Sequence, residues 1–569
     1  MAKRLGSDFM LKASELLRQG KTEELWQMCC GYLNLNISEF MDIQERLLLE
    51  QLELLNGSPI GKKILKGAEP KTVKEFRDMV PLTTYADYCP ELEQKREDVL
   101  PVKPDSWVRT SGRSGEYKCR WVPLTPAFAH ELGILMYGIG LISSCKSWGD
   151  CSQAPQRPKL VYTVAPRPYM SGAMTCILEQ QTPVYHMPKL EEAEGLSFED
   201  RVRLGFKQAL SHGIDYFFGM ALALVSVGEK FTQSSGNINI RPLLSQPGAL
   251  FRIAKGLVKS KLAKRPMLPK DLWPVKGIII TGLESWIYKD KIQGFWGRYP
   301  LDVYAGTEGG IYATQTWDYD AMTFIPNLNF LEFIPEEEQL KWQMDRSYRP
   351  KTLLLNEVKA GENYELVITN YHGGPLTRYR IGDMVKITSL RNEKLGIELP
   401  QMLFERRADG LLNFVVIQLT ERQIWQAIEK TGIAYEDWVA YKELGKSILH
   451  LLVEPKDGLQ FNQAEIAGAI QRYILEANND NKGITGVLED LTDMYDFTVE
   501  IELLPKGTFA RYTARKQAEG ADLAHLKPPH INPSDEVLSI LKGDTEEIIV
   551  VKETKSEVMT ENEADKVTT

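Results

Sequence analysis

Between Lys159 and Asp383, short apolar runs alternate with stretches of helical spacing, and this alternation constrains the fold more than any other feature of the chain. Leu160–Val164, Gly277–Gly282 and Leu301–Tyr304 each close on a small or polar turn, the pattern of buried strands. Strands separated by helices favour an α/β sheet, with ligands at the strand C-termini. Asn329–Ile334 and Tyr364–Thr369 alternate more cleanly, which predicts antiparallel strands with one wet face. The first 65 residues read as helices. Phe40, Ile43, Leu47, Leu48 and Leu52 line one face, and Gly57-Ser58-Pro59 ends that helix. In Phe76–Tyr85, a proline after an apolar residue and before Thr-Thr-Tyr predicts an extended lead-in to another helix.

Past Phe404–Gly410 the texture changes. Strand-like Ser447–Val453 and Asp496–Leu503 alternate with helices beginning near Thr420 and Asn462, as in a small α+β domain. The expected division is a large domain over 1–405, a small one over 406–540, and an acidic, aromatic-poor disordered tail over 541–569.

Hydrophobic content of 43% and charged content of 25% are ordinary for a globular protein. A net charge of −9 argues against a nucleic-acid partner and requires a local positive site for any anionic substrate. The basic run Arg252–Lys276 is a candidate for one, but a solvated helix face is the simpler explanation of it. All seven cysteines lie within the first 176 residues, without a C-x-x-C pair, and read as reduced thiols in a cytoplasmic protein. The N-terminus lacks an apolar core, so no signal peptide is expected. The apolar runs near Leu132–Ser143 and Phe217–Gly228 are too short for a membrane span. A monomer is expected.

Chemistry concentrates in five places. The stretch Val108–Lys118 packs hydroxyls and two glycines into a short loop ending in a lysine. Such a backbone can aim several N–H groups at phosphate oxygens, although it lacks the spacing of the G-x-x-x-x-G-K-[ST] loop and also suits a plain Ser/Gly surface turn. Tyr304-Ala305-Gly306-Thr307-Glu308 ends a predicted strand, with an aromatic for a base and a carboxylate for Mg²⁺; the bland alternative is a Gly-rich turn with a solvated Glu. Asp383, after Gly382, can accept from ribose hydroxyls or pair with an arginine in a hairpin. Arg406-Arg407-Ala408-Asp409-Gly410 is a hinge or a charged linker, and Lys527 precedes Pro528-Pro529.

In this order, the motifs resemble those of the adenylate-forming enzymes: acyl-CoA synthetases, peptide-synthetase adenylation domains and luciferases. Val80–Tyr85, Leu272-Trp273-Pro274, Phe330–Pro335, Tyr379–Asp383, Arg406-Arg407 and Lys506–Phe509 leading to Lys527 more closely resemble the auxin-responsive acyl-acid amido synthetase family. The resemblance covers about residues 70 to 535 and implies ATP and Mg²⁺ as cofactors. It assigns Thr110, Ser111, Gly112, Ser114, Gly115 and Lys118 to the phosphate loop. It gives Tyr304, Thr307 and Glu308 to adenine, phosphate and Mg²⁺, Asp383 with Arg407 to the ribose, and Lys527 to a mobile small-domain lysine. Arg113 departs from the usual Thr or Ser, and Lys527 lacks the usual preceding Tyr and following Arg. The implied substrates are a small carboxylic acid and an amine, most simply an amino acid. An acyl-CoA ligase is the near rival, and a non-catalytic nucleotide-binding scaffold is the rival of another class.

Overall fold

The computed structural model describes residues 12–543, excepting 111–119, 220, 235–245, 282–287, 346, 409–411, 414–417, 444–447, 457–461, 480–496, 520–526 and 534. The chain divides into two compact units, Met1–Arg406 and Arg407–Thr569.

The first unit opens on helices. α1 (Ile37–Asn56) starts in a capping box between Asn36 and Glu39 and buries Phe40, Leu47, Leu48 and Leu52; Ser58 then caps the next helix. A hairpin of β1 (Ser106–Arg109) and β2 (Trp121–Leu124) leads into α2 (Pro126–Ser144), and α3 (Met170–Leu178) packs beside it. The apolar run in α2 is longer than expected. At 19 residues it is apolar enough to cross a membrane by length and composition, but 78% of its apolar window is buried in the protein. A helix apolar on all sides belongs in a core, and this one lies against α3 and the sheet.

The sheet has eleven strands: β3 (Lys159–Val161), β4 (Tyr185–Met187), β5 (Tyr216–Gly219), β6 (Gly277–Ile280), β7 (Leu301–Gly306), β8 (Gly310–Gln315), β9 (Met322–Phe324), β10 (Asn329–Pro335), β11 (Asn363–Asn370), β12 (Tyr379–Ser389) and β13 (Gln401–Arg407). Their spatial order is β10-β11-β12-β13-β9-β8-β7-β6-β5-β3-β4. From β4 to β7 the neighbours are parallel, as the alternation with helices requires. At β7/β8 the pairing turns antiparallel, and the tight turn that makes this possible carries Thr307 and Glu308.

β10 and β11 are antiparallel but have no wet face; apart from their outer ends every residue is buried. The polar residues that gave the alternation are engaged in ion pairs instead. Glu332 pairs with Arg378 at 2.8 Å and Glu365 with Arg380 at 2.5 Å, while α1 and the helix Glu336–Met344 pack against these strands. Period-2 polarity cannot distinguish a solvated face from one closed by buried ion pairs.

The second unit is α+β. A short pair, β14 (Leu412–Asn413) and β15 (Gln418–Leu419), precedes α4 (Glu421–Lys430), which Thr420 caps. A three-stranded sheet follows: β16 (Tyr435–Lys442) antiparallel to β17 (Ile448–Pro455), and β17 parallel to β18 (Thr498–Leu503). α5 (Gln463–Asn479) and α4 bring Ile424, Ile428, Ile470 and Ile474 against Trp438 and Leu451. Leu452 and Val439 meet Phe509 and Tyr512 in a separate cluster. The last described helix runs Asp535–Lys542, two residues into the expected tail; 544–569 lie outside the described residues.

Candidate functional site

The β7–β8 turn is built by close approach. A Cβ at Gly306 would lie 2.7 Å from the Tyr312 hydroxyl, and one at Gly309 would lie 2.4 Å from the Tyr312 ring, so only glycine lets the turn fold over that tyrosine. Asn370 Nδ2 donates to the Glu308 carbonyl at 2.9 Å and Asn329 Nδ2 to the Gly309 carbonyl at 2.7 Å, so two neighbouring strands pin the turn. Glu308 is thereby presented buried, at 9% exposure, as a constrained carboxylate rather than a solvated one.

Asp383 reaches the same place through a bulge. The β11–β12 register shifts between Glu365/Met384 and Val367/Arg380, leaving Ile381–Asp383 opposite one residue, and Gly382 takes φ +78°. A bulge of this kind re-aims a side chain. Asp383 accepts a 2.8 Å hydrogen bond from the Tyr304 hydroxyl, across 79 residues of sequence. Tyr304 is buried, its ring 4.9 Å from Tyr312 and 5.9 Å from Phe404. In this conformation its hydroxyl braces the carboxylate. Thr307 lies beside Glu308 and lines a small recess with Thr125, Phe128 and Asn370.

The phosphate-type loop hangs from the β1–β2 hairpin. Its base is closed by Thr110 N–H donating to the Arg120 carbonyl and Arg120 N–H donating to Thr110 Oγ1, both at 3.0 Å. Ser111, Gly112, Ser114, Gly115 and Lys118 lie outside the described residues, as do the departure at Arg113 and the side chain of Arg407.

Two residues of the site were missed in the sequence. Arg120 directs Nη1 to Glu308 Oε1 at 3.5 Å and to the Tyr379 hydroxyl at 3.1 Å. Its signal was only a cation at the far end of the loop, two residues beyond the lysine that attracted the role. Tyr379 stood inside a quoted motif without an assignment. It is held by the Val80–Tyr85 segment, where Thr83 N–H donates to the Arg378 carbonyl and Arg380 N–H donates to the Thr83 carbonyl. That segment is extended as expected, followed by a short 3₁₀ turn over Tyr85–Tyr88. Among the described residues, no group of three or more His, Cys, Asp or Glu is placed to hold a metal.

Beside this cluster, α2, α3 and the sheet enclose an apolar cavity of about 80 Å³. Tyr137, Met174, Leu178 and Phe218 line it, as do Val303 and Ile311, which come from the two strands flanking the Glu308 turn.

In the second unit, Lys527 is exposed, with Nζ 3.7 Å from Asp437 Oδ2. Asp437 Oδ1 accepts from His530 Nε2 at 2.8 Å, and His530 Nδ1 donates to Glu421 at 2.6 Å. The imidazole stacks on Trp438 at 4.6 Å. Burial opposes charging this ring, but the hydrogen bonds it gives to Asp437 and Glu421 outweigh that and push its pKa up to about 10, so both nitrogens donate. His530–Asn532 is stitched to Ala440 of β16, which leaves Lys527 at the outer end of a stiff Pro-Pro segment.

Two models of one family match the chain: the GH3 family N-terminal domain over residues 32–147 and the GH3 family central domain over 322–407. A jasmonoyl–L-amino acid synthetase of Nicotiana attenuata is 28% identical over 304 residues, 51% of this chain and 50% of that protein. A probable indole-3-acetic acid-amido synthetase of Oryza sativa subsp. japonica is 25% identical over 454 residues, 69% of this chain and 70% of that protein. The chain spans half or less of the length of the first curated relatives it matches. Among solved structures, an acyl acid amido synthetase in complex with 2,4-DB shares the fold, with TM-score 0.61, 16% identity and coverage of 95% of this chain and 97% of that one. A 2-hydroxyisobutyryl-CoA ligase in the postadenylation state shares it at TM-score 0.55, 13% identity, covering 89% and 92%.

Proposed function

We propose that this member of the GH3 family joins a carboxylic acid to an amine at the expense of ATP. The carboxylate attacks the α-phosphorus, the bond to the β-phosphate oxygen breaks, and pyrophosphate leaves. The amine then attacks the acyl carbon of the acyl adenylate, and AMP leaves as the amide forms. The observation that carries this reading is the convergence of Arg120, Glu308, Tyr379, Tyr304 and Asp383 in one unit, with Arg120 closing the base of a segment of nucleotide-binding composition.

Each residue has work suited to its chemistry. The loop amides and hydroxyls, with Lys118, Arg120 and Thr307, hold and neutralise the triphosphate, because positive charge and donors aimed at a transferring phosphoryl group lower its barrier. Asp383, oriented by Tyr304, accepts from the ribose hydroxyls, joined by Arg407. Glu308 is the oxygen ligand this site offers to Mg²⁺. A lone carboxylate suits an ion that keeps water and substrate phosphates in its other positions. When bound, Mg²⁺ supplies Lewis-acid neutralisation of the phosphate oxygens.

The apolar cavity takes the body of the acid, because Val303 and Ile311 connect it directly to the Glu308 turn. Lys527 brings a further positive charge from the second unit during adenylation and withdraws before the amine arrives. An amino acid is the acceptor best supported, through the names of the curated relatives. We read the chain as a cytoplasmic monomer; for the compartment the support is the cysteine pattern, an odd number without a C-x-x-C pair.

The test is ATP–pyrophosphate exchange with a panel of aryl, indolyl and aliphatic acids, followed by mass spectrometry with an amino-acid mixture and CoA supplied together. Acid-dependent exchange and an amide product are expected. ATP binding without exchange for any acid overturns the reading in favour of a scaffold, and a thioester as main product makes the chain an acyl-CoA ligase.

A further inference from the structure

The helix Pro247–Leu262 lies outside the site and has an outer surface of unusual make-up. It buries Ala249, Ile253, Gly256 and Ser260 and packs against the helices Phe198–His212 and Pro269–Leu272. On its outer side Phe251 is 70% exposed, Val258 58% and Leu262 79%, the three highest exposures of any large apolar residue described. At about 100° per residue these positions fall within about 40° of one another, so they form one line along the helix. Single exposed apolar residues are ordinary on a protein surface; an aligned set of the most exposed ones is not.

Exposed lysines border the line, Lys255 and Lys259 on one side and Lys261 on the other. From Pro247 to Lys270 the chain carries no Asp or Glu, although its net charge is −9. Two of the cations here are turned to structural use. Arg252 donates to the Leu210 and Ser211 carbonyls, and Arg265 pairs with Asp271, the acid on the neighbouring helix, which is 5% exposed. The outward charge therefore belongs to the lysines.

We propose that this face docks on an anionic lipid bilayer, with Phe251, Val258 and Leu262 entering the boundary between headgroups and acyl chains and the lysines resting on headgroup phosphates. The charge favours this occupant. A second copy of the chain would bring lysines against lysines across a two-fold axis, and a nucleic acid gives no reward for an apolar line. Long lysine side chains around inserted apolar residues match the layered chemistry of a membrane interface. Docking would hold the enzyme where apolar carboxylic acids collect. A single helix face gives weak, reversible, salt-sensitive attachment.

The experiment is flotation of the full chain with vesicles of phosphatidylcholine alone or containing about one-third phosphatidylserine. At low salt the bound fraction is expected to rise about tenfold on the anionic vesicles and to fall to the neutral value at about 0.5 M salt. Phe251→Ser with Leu262→Ser is expected to abolish binding while pyrophosphate exchange with a water-soluble acid is unchanged. Lys255→Gln with Lys259→Gln and Lys261→Gln removes the preference for anionic vesicles. Equal binding to neutral vesicles, no binding at all, or variants that bind like the native chain each overturn the proposal. So does a concentration-dependent dimer that Phe251→Ser disperses in a chain that ignores vesicles.

Discussion

Replacing Arg120 by Met separates the chemistry of the site from its stability. The guanidinium is about one-fifth exposed, reaches Glu308 at 3.5 Å and the Tyr379 hydroxyl at 3.1 Å, and hangs at the base of the loop. Among the described residues, its loss removes one hydrogen bond of ordinary length and one long ion pair. The loss of these two contacts at a buried carboxylate costs about 2 kcal/mol. In a unit of this size such a loss moves the melting temperature by only a few degrees. Catalysis is expected to suffer far more. If Arg120 faces the triphosphate as charge shifts in the transition state, its removal costs about 3 kcal/mol, or about a hundredfold in the rate of acyl-adenylate formation.

The same substitution has a second, opposite signature. With Glu308 as the proposed Mg²⁺ ligand, Arg120 and Mg²⁺ would compete for one carboxylate, so the Mg²⁺ concentration giving half-maximal exchange should fall in the variant even as the maximal rate drops. Pyrophosphate exchange against a Mg²⁺ series, with thermal melting of the same preparations, measures both. Arg120→Lys should recover part of the rate, since it restores charge without the planar fork. A rate within threefold of the native chain, or a rise in the Mg²⁺ requirement, refutes the assignment. Glu308→Gln run alongside should lose the response to Mg²⁺ and remain folded.

Asp383→Ala should raise KM for ATP with little change in kcat, because ribose contacts hold ground and transition states alike; Tyr304→Phe, which removes one hydrogen bond to that carboxylate, should do the same more weakly, and a fall in kcat alone contradicts the proposed role. Lys527→Ala should slow acyl-adenylate formation by about a hundredfold yet leave amide formation from synthetic acyl adenylate within a few-fold; equal losses in both steps would mean the lysine is structural. His530 has its pKa raised to about 10 by Asp437 and Glu421 against the effect of burial. Its stabilisation of the second unit is therefore fully present below the unfolded value near 6.5 and lost as pH rises through about 10. Urea midpoints across that interval should fall for the native chain and stay flatter for His530→Gln.

The local elements were legible because their causes are local. The apolar spacing of Phe40, Leu47, Leu48 and Leu52, the Asn36–Glu39 capping box and the Thr420 cap are written within one helical turn of the residues they organise. So too were the buried runs that became β6 and β7, and the order of motifs that carried the family resemblance. Tertiary structure alone decided how the site is wired. Arg120 meets Glu308 across 188 residues and Tyr379 across 259, and no local pattern marks an arginine as the partner of a carboxylate that distant. The bulge at Ile381–Asp383 depends on the partner strand, and the hydrogen bond from Tyr304 to Asp383 spans 79 residues. The alternation in β10 and β11 could not reveal that its polar side is closed by Arg378 and Arg380, because burial is a property of what packs above a strand. The converse holds for Phe251, Val258 and Leu262: their spacing reads as a buried helix face, and only the fold shows that the face left in solvent is the apolar one.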